Sequence, residues 1–367
     1  MADASPEPAP PPEALAGVFE VYEHRRDGDR VLYFGEPLAP REAVIKQAWP
    51  LFRERGYEAT LTRRKGEDVL LARPMDAGTS SFPWTNVVLA VVTVLSTLFV
   101  GADTWYYVRD PLGDPLSILV AWPFAAAVLG ILGIHELGHY AMSRYHDVDA
   151  TLPYFIPMPT IIGTMGAVIR MKGQIPDRKA LFDIGVAGPI AGLVATVVVT
   201  AIGLSMPPID VPTWVAASPS SVEVVFGKPL LFQAIAAAMG VEAAYRNPVT
   251  IGAWVGMFVT FLNLLPVGQL DGGHIVRALL GDRQRTVAAL VPAVLFGLAG
   301  YLFYVEHVGN AVGIWVLWGL LSLGIAFAGP ARPIHEEGLD TKRKVVGVLT
   351  LLLGLACFTP VPIQILA

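Results

Sequence analysis

The chain has 367 residues, of which 54% are hydrophobic and 16% charged, and its mean hydropathy is +0.54. A soluble chain of this length would form two or three domains, but several windows of about 20 residues carry few or no charged side chains, which is the length of a membrane-spanning helix. The net charge of −5 without a basic patch gives no reason to expect a nucleic-acid partner, and the single Cys357 excludes an intrachain disulfide. We therefore predict an α-helical polytopic membrane protein.

The N-terminal part differs from the rest in composition. Residues 1–14 are rich in Pro and Ala, which predicts a disordered tail. Residues 15–76 predict a small cytosolic α+β domain with the order ββαββ, because alternating apolar and polar residues flank the turns at Asp27-Gly28 and Lys65-Gly66, and helical spacing lies between the two hairpins. This domain shows no catalytic set of residues. It could gate a site, recruit a substrate or bind a regulator.

Residues 77–367 predict a transmembrane domain of about seven helices. The candidate spans are 84–104, 117–143, 181–205, 249–280, 286–305, 311–329 and 345–365. With seven spans, the loops on the side of the N-terminus carry 12 Lys and Arg residues and the other side carries 3. Because cytoplasmic loops are enriched in these residues, we predict a multi-pass protein of the cell membrane with its N-terminus in the cytoplasm and its C-terminus outside.

The connection at residues 147–176 is apolar but broken by prolines and glycines, among them Pro153, Pro157, Pro159, Gly163 and Gly166. It is too interrupted for a spanning helix. We predict a re-entrant or edge-strand segment, which is tolerated at membrane depth only where it packs on protein or lines a wet cavity.

The stretch GILGIHELGHYAM at 130–142 places two histidines and a glutamate in an apolar span. His135 and His139 are four residues apart, so on a helix both imidazoles lie on one face, where they can bind one Zn²⁺. Glu136 follows the first histidine and is placed to act as a general base on metal-bound water. Ionisable groups inside a membrane are costly and usually functional. The alternative is a polar patch that pairs with another helix, or a proton relay.

A catalytic zinc site has three protein ligands and an open position, so a third ionisable residue is needed at membrane depth. The candidate lies in FLNLLPVGQLDGGHI at 261–275, where Asp271 is the only acid between Glu242 and Asp282. The predicted topology places Asp271 and the first motif at a similar depth. His274 is an alternative ligand, and the other interpretation of Asp271 is a helix N-cap after a break at Pro266.

HELGH together with NLLPVGQLDGG resembles the site-2 protease family of intramembrane zinc metalloproteases. The second motif of that family is an Asn, a Pro three residues later and then Asp-Gly, which Asn263, Pro266, Asp271 and Gly272 match. GTMGAVI at 163–169 and VAGPIAG at 186–192 resemble two further family motifs, so the resemblance covers the motif core at 117–280. The motif sequences are similar to those of the family branch that lacks a large inserted PDZ domain.

The resemblance implies a role for each matched residue. His135, His139 and Asp271 would bind one Zn²⁺ per chain, Glu136 would activate water, and Asn263 would lie near the metal and hold substrate or stabilise the oxyanion; a helix–helix hydrogen bond is the alternative role for Asn263. The resemblance also implies that the chain hydrolyses peptide bonds within or near transmembrane segments of other membrane proteins, as in regulated intramembrane proteolysis. The partners would then be a transmembrane substrate and the lipid bilayer.

Two other functions stay open from the residues alone. One is a metal-ion transporter that uses His and Asp as transit ligands, which would favour several such sites along a path. The other is an inactive, protease-like membrane scaffold. Replacement of Glu136 by Gln distinguishes them, because a protease would lose turnover and retain zinc.

Overall fold

A computed structural model describes residues 8–64, 66–75, 82–219 and 221–366 of the chain. Residues 1–7 of the predicted tail, Lys65 of the predicted second turn and the predicted domain boundary at 76–77 lie outside the described residues. Within the described part of the tail, residues Pro12–Leu15 form a 3₁₀ helix and Leu15 is fully buried. The Tyr33 hydroxyl donates a hydrogen bond to the Pro10 carbonyl over 2.6 Å, which ties this segment to the strands that follow.

The described N-terminal residues up to 75 form what we call the small domain. Its elements are β1 (Phe19–Asp27), β2 (Arg30–Pro37), α1 (Arg41–Arg53), β3 (Tyr57–Arg64) and β4 (Glu67–Pro74). The strands pair antiparallel in the order β1-β2-β4-β3. Buried side chains of the sheet and of α1, with Phe19, Tyr33, Phe52 and Leu70 among the largest, form the core of the domain. The helix α1 packs against β3, whereas β1 is buried only at Phe19.

The remaining described chain is mostly helical. Its helices are α2 (Trp84–Val100), α3 (Trp122–Tyr145), α4 (Arg178–Ser205), α5 (Thr213–Ala216), α6 (Leu230–Met239), α7 (Pro248–Asn263), α8 (Asp271–Leu280), α9 (Gln284–Tyr304), α10 (Gly309–Ala328) and α11 (Thr341–Ala356). Its strands are β5 (Tyr154–Pro157), β6 (Thr164–Val168), β7 (Glu223–Phe226) and β8 (Ile363–Leu366). Each of the two strand pairs, β5-β6 and β7-β8, is antiparallel.

Five helical stretches within the described residues are long and apolar enough to cross a membrane. They are Trp84–Trp105, Pro115–Tyr145, Arg178–Ser205, Asp271–Tyr304 and Ala311–Ala328. The length and composition of these stretches support a membrane protein. The count of seven crossings stays a prediction, because α7 and α11 have 16 residues each and are shorter than a typical span.

The structure differs from the sequence prediction in two spans. The helix predicted over 249–280 is interrupted between α7 and α8, where Pro266 cannot continue the hydrogen-bond ladder and Gly268 adopts a φ of +49°. The span predicted over 345–365 ends as a helix at Ala356, and its last residues form β8 against β7. The interruption in the first span brings the second motif onto the start of a new helix.

The interrupted connection at 147–176 folds as the β5–β6 hairpin. β5 packs against α2, and β6 packs against α2 and α3. The described residues of this connection therefore contain paired strands rather than a spanning helix, because its prolines and glycines break helical hydrogen bonding.

The small domain contacts the helical remainder of the described chain through polar groups. The Arg53 guanidinium donates to the Asp147 carbonyl over 2.8 Å, and the Gln174 side-chain amide donates to the Ala59 carbonyl over 2.8 Å. The Glu58 carboxylate accepts a hydrogen bond from the Gln174 backbone N–H over 3.1 Å. These contacts place the small domain on the face formed by the end of α3 and the start of α4.

Candidate metal centre

The first motif lies on α3, near its C-terminal end. The helical repeat directs His135 and His139 to the same face, on which α3 packs against α4 and α7. His135 is 3% exposed, Glu136 7% and His139 6%. Three ionisable side chains are thus held in the interior of the helix bundle.

The second motif supplies a carboxylate at the start of α8. Asp271 is the first residue of that helix, directly after the interruption that follows α7. Gly272 makes this arrangement possible, because a Cβ there would lie 2.1 Å from the Leu264 carbonyl oxygen. The chain between the helices can therefore fold back tightly on α8, and the Asp271 side chain reaches the two histidines.

The three donor groups have the spacing of a tetrahedral metal site. His135 Nε2 lies 3.1 Å from Asp271 Oδ2, His139 Nε2 lies 3.2 Å from Asp271 Oδ1, and the two Nε2 atoms are 3.2 Å apart. Ligands bound at about 2.0 Å around a tetrahedral zinc are separated by about 3.3 Å. The three residues could therefore hold one metal ion, and they are the single cluster of at least three potential His, Cys, Asp or Glu ligands found in the described parts of the chain.

The backbone of α4 orients the second histidine. His139 Nδ1 lies 2.8 Å from the Ile184 carbonyl oxygen, which can only accept a hydrogen bond. Nδ1 must therefore carry the proton, and the lone pair of Nε2 is directed towards Asp271 and His135. A hydrogen bond of this kind from the distal ring nitrogen to a carbonyl is typical of metal-binding histidines.

The glutamate of the motif is held from the other side of the cavity. The backbone N–H of Ile169, the residue after β6, donates to Glu136 Oε2 over 2.8 Å. Glu136 lines a cavity of about 180 Å³ together with the three potential ligands. Its carboxylate is therefore fixed at one oxygen while it faces the space in which a substrate would meet the metal.

Two glycines of α4 allow that helix to approach the histidines. A Cβ at Gly188 would lie 2.1 Å from His139 Nε2, and a Cβ at Gly192 would lie 2.9 Å from His135 Nδ1. Any larger residue at Gly188 would occupy the position of the ring nitrogen itself. The backbone of α4 is thus the wall of the metal centre.

The two remaining candidates from the sequence occupy different positions. Asn263, the last residue of α7, has its Nδ2 3.3 Å from His135 Nε2, so it lies at the edge of the ligand group. His274 is buried and lines the same cavity, but it does not belong to the group of ligand atoms that lie within 4.8 Å of one another. The structure therefore groups Asp271, and not His274, with the two histidines.

Sequence reasoning missed the backbone partners. The Ile169 N–H that holds Glu136 and the Ile184 carbonyl that holds His139 are backbone groups, and the amino-acid types in the sequence do not reveal their contacts. The available signals were indirect. Ile169 ends the segment GTMGAVI, and Gly188 and Gly192 fall in VAGPIAG, both of which resemble family motifs without revealing which atoms they contribute.

Comparison with known proteins gives consistent matches. Residues 123–302 match the model of peptidase family M50. The chain is 34% identical over 251 residues to the probable zinc metalloprotease EGY1, chloroplastic, of Arabidopsis thaliana, and these residues cover 66% of this chain and 43% of that protein. It is 31% identical over 341 residues to the protein of the same name from Oryza sativa subsp. japonica, which covers 81% of this chain and 55% of that protein.

A third relative is the probable zinc metalloprotease EGY2, chloroplastic, of Arabidopsis thaliana, which is 31% identical over 249 residues covering 65% of this chain and 42% of the relative. The chain therefore spans about half, or less, of the length of these relatives. Residues 123–302, which the family model matches, contain both motifs and every residue of the candidate metal centre.

Proposed function

The chain belongs to peptidase family M50, the site-2 protease family, and on that premise we propose that it is an intramembrane zinc metalloendopeptidase. Its substrates would be other membrane proteins, cut within or near a transmembrane segment. The observation that carries the proposal is the set of three donor atoms at tetrahedral spacing, next to a buried glutamate and inside helices of membrane-spanning length. Regulated intramembrane proteolysis is the process that such an enzyme would serve.

The family implies Zn²⁺ as the cofactor, and the donor set fits that ion, because two imidazole nitrogens and one carboxylate are common zinc ligands. His135, His139 and Asp271 would hold one ion per chain. When bound, the ion acts as a Lewis acid and makes water acidic enough to serve as a nucleophile at neutral pH. The Ile184 carbonyl keeps His139 in the tautomer that can bind.

Glu136 is proposed to move the proton. Its carboxylate is within the same cavity as the ligands, so it can accept a proton from the attacking water and then deliver it to the leaving amine. The hydrogen bond from the Ile169 N–H fixes the orientation of this carboxylate between the two transfers.

Asn263 is proposed to hold the substrate carbonyl or the oxyanion that forms from it. Its amide extends from the end of α7 and lies next to His135, at the edge of the group of potential ligands. An amide donor at such a position typically contributes about 10²–10³-fold to turnover. The alternative role, a hydrogen bond between helices, would affect stability and not turnover.

The proposed setting is a cell membrane crossed seven times, with the N-terminus in the cytoplasm and the C-terminus outside. The two shorter helices α7 and α11 would complete the crossings, helped by local thinning of the bilayer or by flanking residues that reach its surface. A transmembrane substrate protects its peptide bonds by helical hydrogen bonds, so it must unwind locally before cleavage. Pro or Gly in the substrate segment would favour that unwinding.

The test is turnover of a single-pass membrane substrate in liposomes by the wild type, Glu136→Gln and the control Glu337→Gln. Glu337 is exposed and distant in sequence from both motifs. We expect Glu136→Gln to retain about one zinc per chain and to lose about 10²–10⁴-fold in turnover, which is the usual contribution of a general acid–base. The control should match the wild type.

Two results would contradict the proposal. Cleavage that survives Glu136→Gln would remove the proton-transfer role and favour an inactive scaffold with a contaminating protease. Zinc uptake into sealed vesicles at equal rates in both variants, without cleavage, would favour a metal-ion transporter.

A further inference from the structure

A second and larger cavity lies between the small domain and the transmembrane domain. Its volume is about 1070 Å³, which is at the upper end of ligand-sized cavities. The small domain contributes Arg41, Ile45, Lys46 and Leu61 to its wall, and residues 169–175 and 328–336 form much of the remainder. We call this cavity the vestibule.

The vestibule adjoins the metal centre. Four residues line both cavities, namely Ile169, Met171, Gln269 and His274. Ile169 is also the residue whose N–H holds Glu136. A polypeptide that extends from the metal centre towards the small domain would therefore pass through the vestibule.

The vestibule carries an excess of positive charge. Its lining has five cationic side chains, Arg41, Lys46, Arg170, Arg277 and Arg332, and two acidic ones, Asp282 and Glu336. Arg277 forms ion pairs with both of these acids. Arg41 pairs with Asp68, which lies outside the lining.

Three of the five cations have no ion pair to any residue that the structure describes, and these are Lys46, Arg170 and Arg332. All three are exposed. Their charges are therefore available to a ligand, and an anionic group in the vestibule would be attracted by all three.

Positive charge in the vestibule would favour some substrates over others, according to the charge of the segment next to the cleaved helix. Segments that flank a membrane-spanning helix on the cytoplasmic side are usually rich in Lys and Arg, which the vestibule would repel. A flanking segment with Asp and Glu would be attracted. We propose that the vestibule binds an acidic segment adjacent to the scissile transmembrane segment, and that it selects against substrates with a basic flank at that end. This inference rests on the proposed proteolytic function and adds a substrate class to it.

The test uses two single-pass substrates that differ only in the flank on the side of the small domain, with four acidic residues in one and four basic residues in the other. The wild type should cleave the acidic-flank substrate with a kcat/KM about tenfold higher, which corresponds to a few exposed charge pairs. Added salt should reduce the preference, because exposed charges are screened.

The variant Lys46→Glu/Arg170→Glu/Arg332→Glu should invert the preference. The matched control Arg30→Glu/Lys179→Glu/Lys342→Glu changes the net charge equally at exposed residues that do not line the vestibule, and it should keep the wild-type preference. Equal kcat/KM values for the two substrates in the wild type, or an unchanged ratio in the vestibule variant, would overturn the proposal.

A binding measurement separates this inference from the proteolytic function. Fluorescence anisotropy of labelled acidic and basic flank peptides with full-length Glu136→Gln reports binding without cleavage. The acidic peptide should bind about tenfold more tightly than the basic one, and the vestibule variant should invert this difference. If the wild type cuts neither substrate but this difference is found, the proteolytic function fails and the vestibule stands. Equal binding of both peptides would overturn the vestibule proposal.

Discussion

The metal centre and the contact between the two domains are built in different ways. At the metal centre, α4 approaches the histidines so closely that Gly188 has no room for a methyl group, and backbone atoms fix both His139 and Glu136. At the domain contact, a few polar side chains such as Gln174 and Arg53 connect partly exposed surfaces. At the metal centre, we expect the separation of α3 and α4 to be tightly constrained. At the domain contact, we expect single substitutions to remove one hydrogen bond at a time. The proposed chemistry would therefore depend on the helix bundle, and we expect the small domain to modulate it.

The largest effect that tests this difference is expected for Gly188→Ala. The added Cβ would lie 2.1 Å from His139 Nε2, so either the helices separate or the ring turns away from the metal. We expect loss of bound zinc and of cleavage, measured by metal analysis and by turnover of a single-pass substrate.

Gly130→Ala on α3 is the matched control. A Cβ there meets no atom within 4 Å, so the same substitution should leave zinc and turnover unchanged. It should slightly stabilise the helix, by about 0.5–1 kcal/mol. Full activity of Gly188→Ala would show that α4 is not the wall of the metal centre.

An intermediate effect is expected for Gln174→Ala. The substitution removes the hydrogen bond to the Ala59 carbonyl, which contributes about 1 kcal/mol to docking of the small domain. The chain from Gln174 leads within five residues to Ile169, whose N–H holds Glu136. We expect kcat to fall several-fold with zinc content and KM little changed.

The control for that prediction is Gln233→Ala on α6, where the amide bonds only to the nearby Lys228 carbonyl. It should have wild-type kcat. A loss of zinc in Gln174→Ala, or equal loss of kcat in both variants, would contradict the connection between docking and the general base.

The smallest effect is expected from pH at the domain contact. Partial burial raises the pKa of the Glu58 carboxyl above its ordinary value of 4.5, although the hydrogen bond from the Gln174 N–H acts in the opposite direction. The folded state therefore binds this proton more tightly than the unfolded state. The free energy of unfolding should fall as the pH rises from about 4.5 through the folded pKa, because ionisation is disfavoured in the docked domain.

Glu58→Gln should remove this pH dependence of stability, and it should slow hydrogen exchange at the domain contact at pH 7. The measurement is hydrogen exchange of the β3 amides in the full-length protein between pH 4 and 8, corrected for intrinsic rates. Glu20→Gln, at an exposed position of β1, should retain the wild-type dependence. A steeper loss of protection in Glu58→Gln would mean that the ionised carboxylate stabilises docking.

The sequence was sufficient to find the three side chains whose potential ligand atoms the structure brings together. The spacing within HELGH is sufficient to place His135 and His139 together, because residues four apart lie on the same face of a helix. Asp271 was the only acid at a suitable predicted depth. The family resemblance, which the comparisons confirm, favoured Asp271 over His274. A break at Pro266 was weighed only as an alternative interpretation, because the apolar residues of 249–280 are compatible with one continuous span. Pro266 and Gly268 decide the outcome only once α8 packs against α4.

The contacts made by backbone atoms could not be predicted. The Ile169 N–H and the Ile184 carbonyl are backbone groups, which do not depend on the type of side chain. Only the folded arrangement of β6 and α4 brings them to Glu136 and His139. The same holds for the vestibule, whose walls come from segments more than 200 residues apart in sequence. Charge counts predict an orientation in the membrane, but they do not reveal the cavity.

His135, His139 and Asp271 are proposed to hold one zinc ion together. The most direct measurement is zinc stoichiometry combined with X-ray absorption at the zinc edge, on the purified wild type and on Asp271→Ala. We expect about one zinc in the wild type, with two imidazole nitrogens and a carboxylate oxygen at about 2.0–2.2 Å. Asp271→Ala should hold substantially less. A wild type without zinc, or an unchanged zinc content and coordination in Asp271→Ala, would contradict the account.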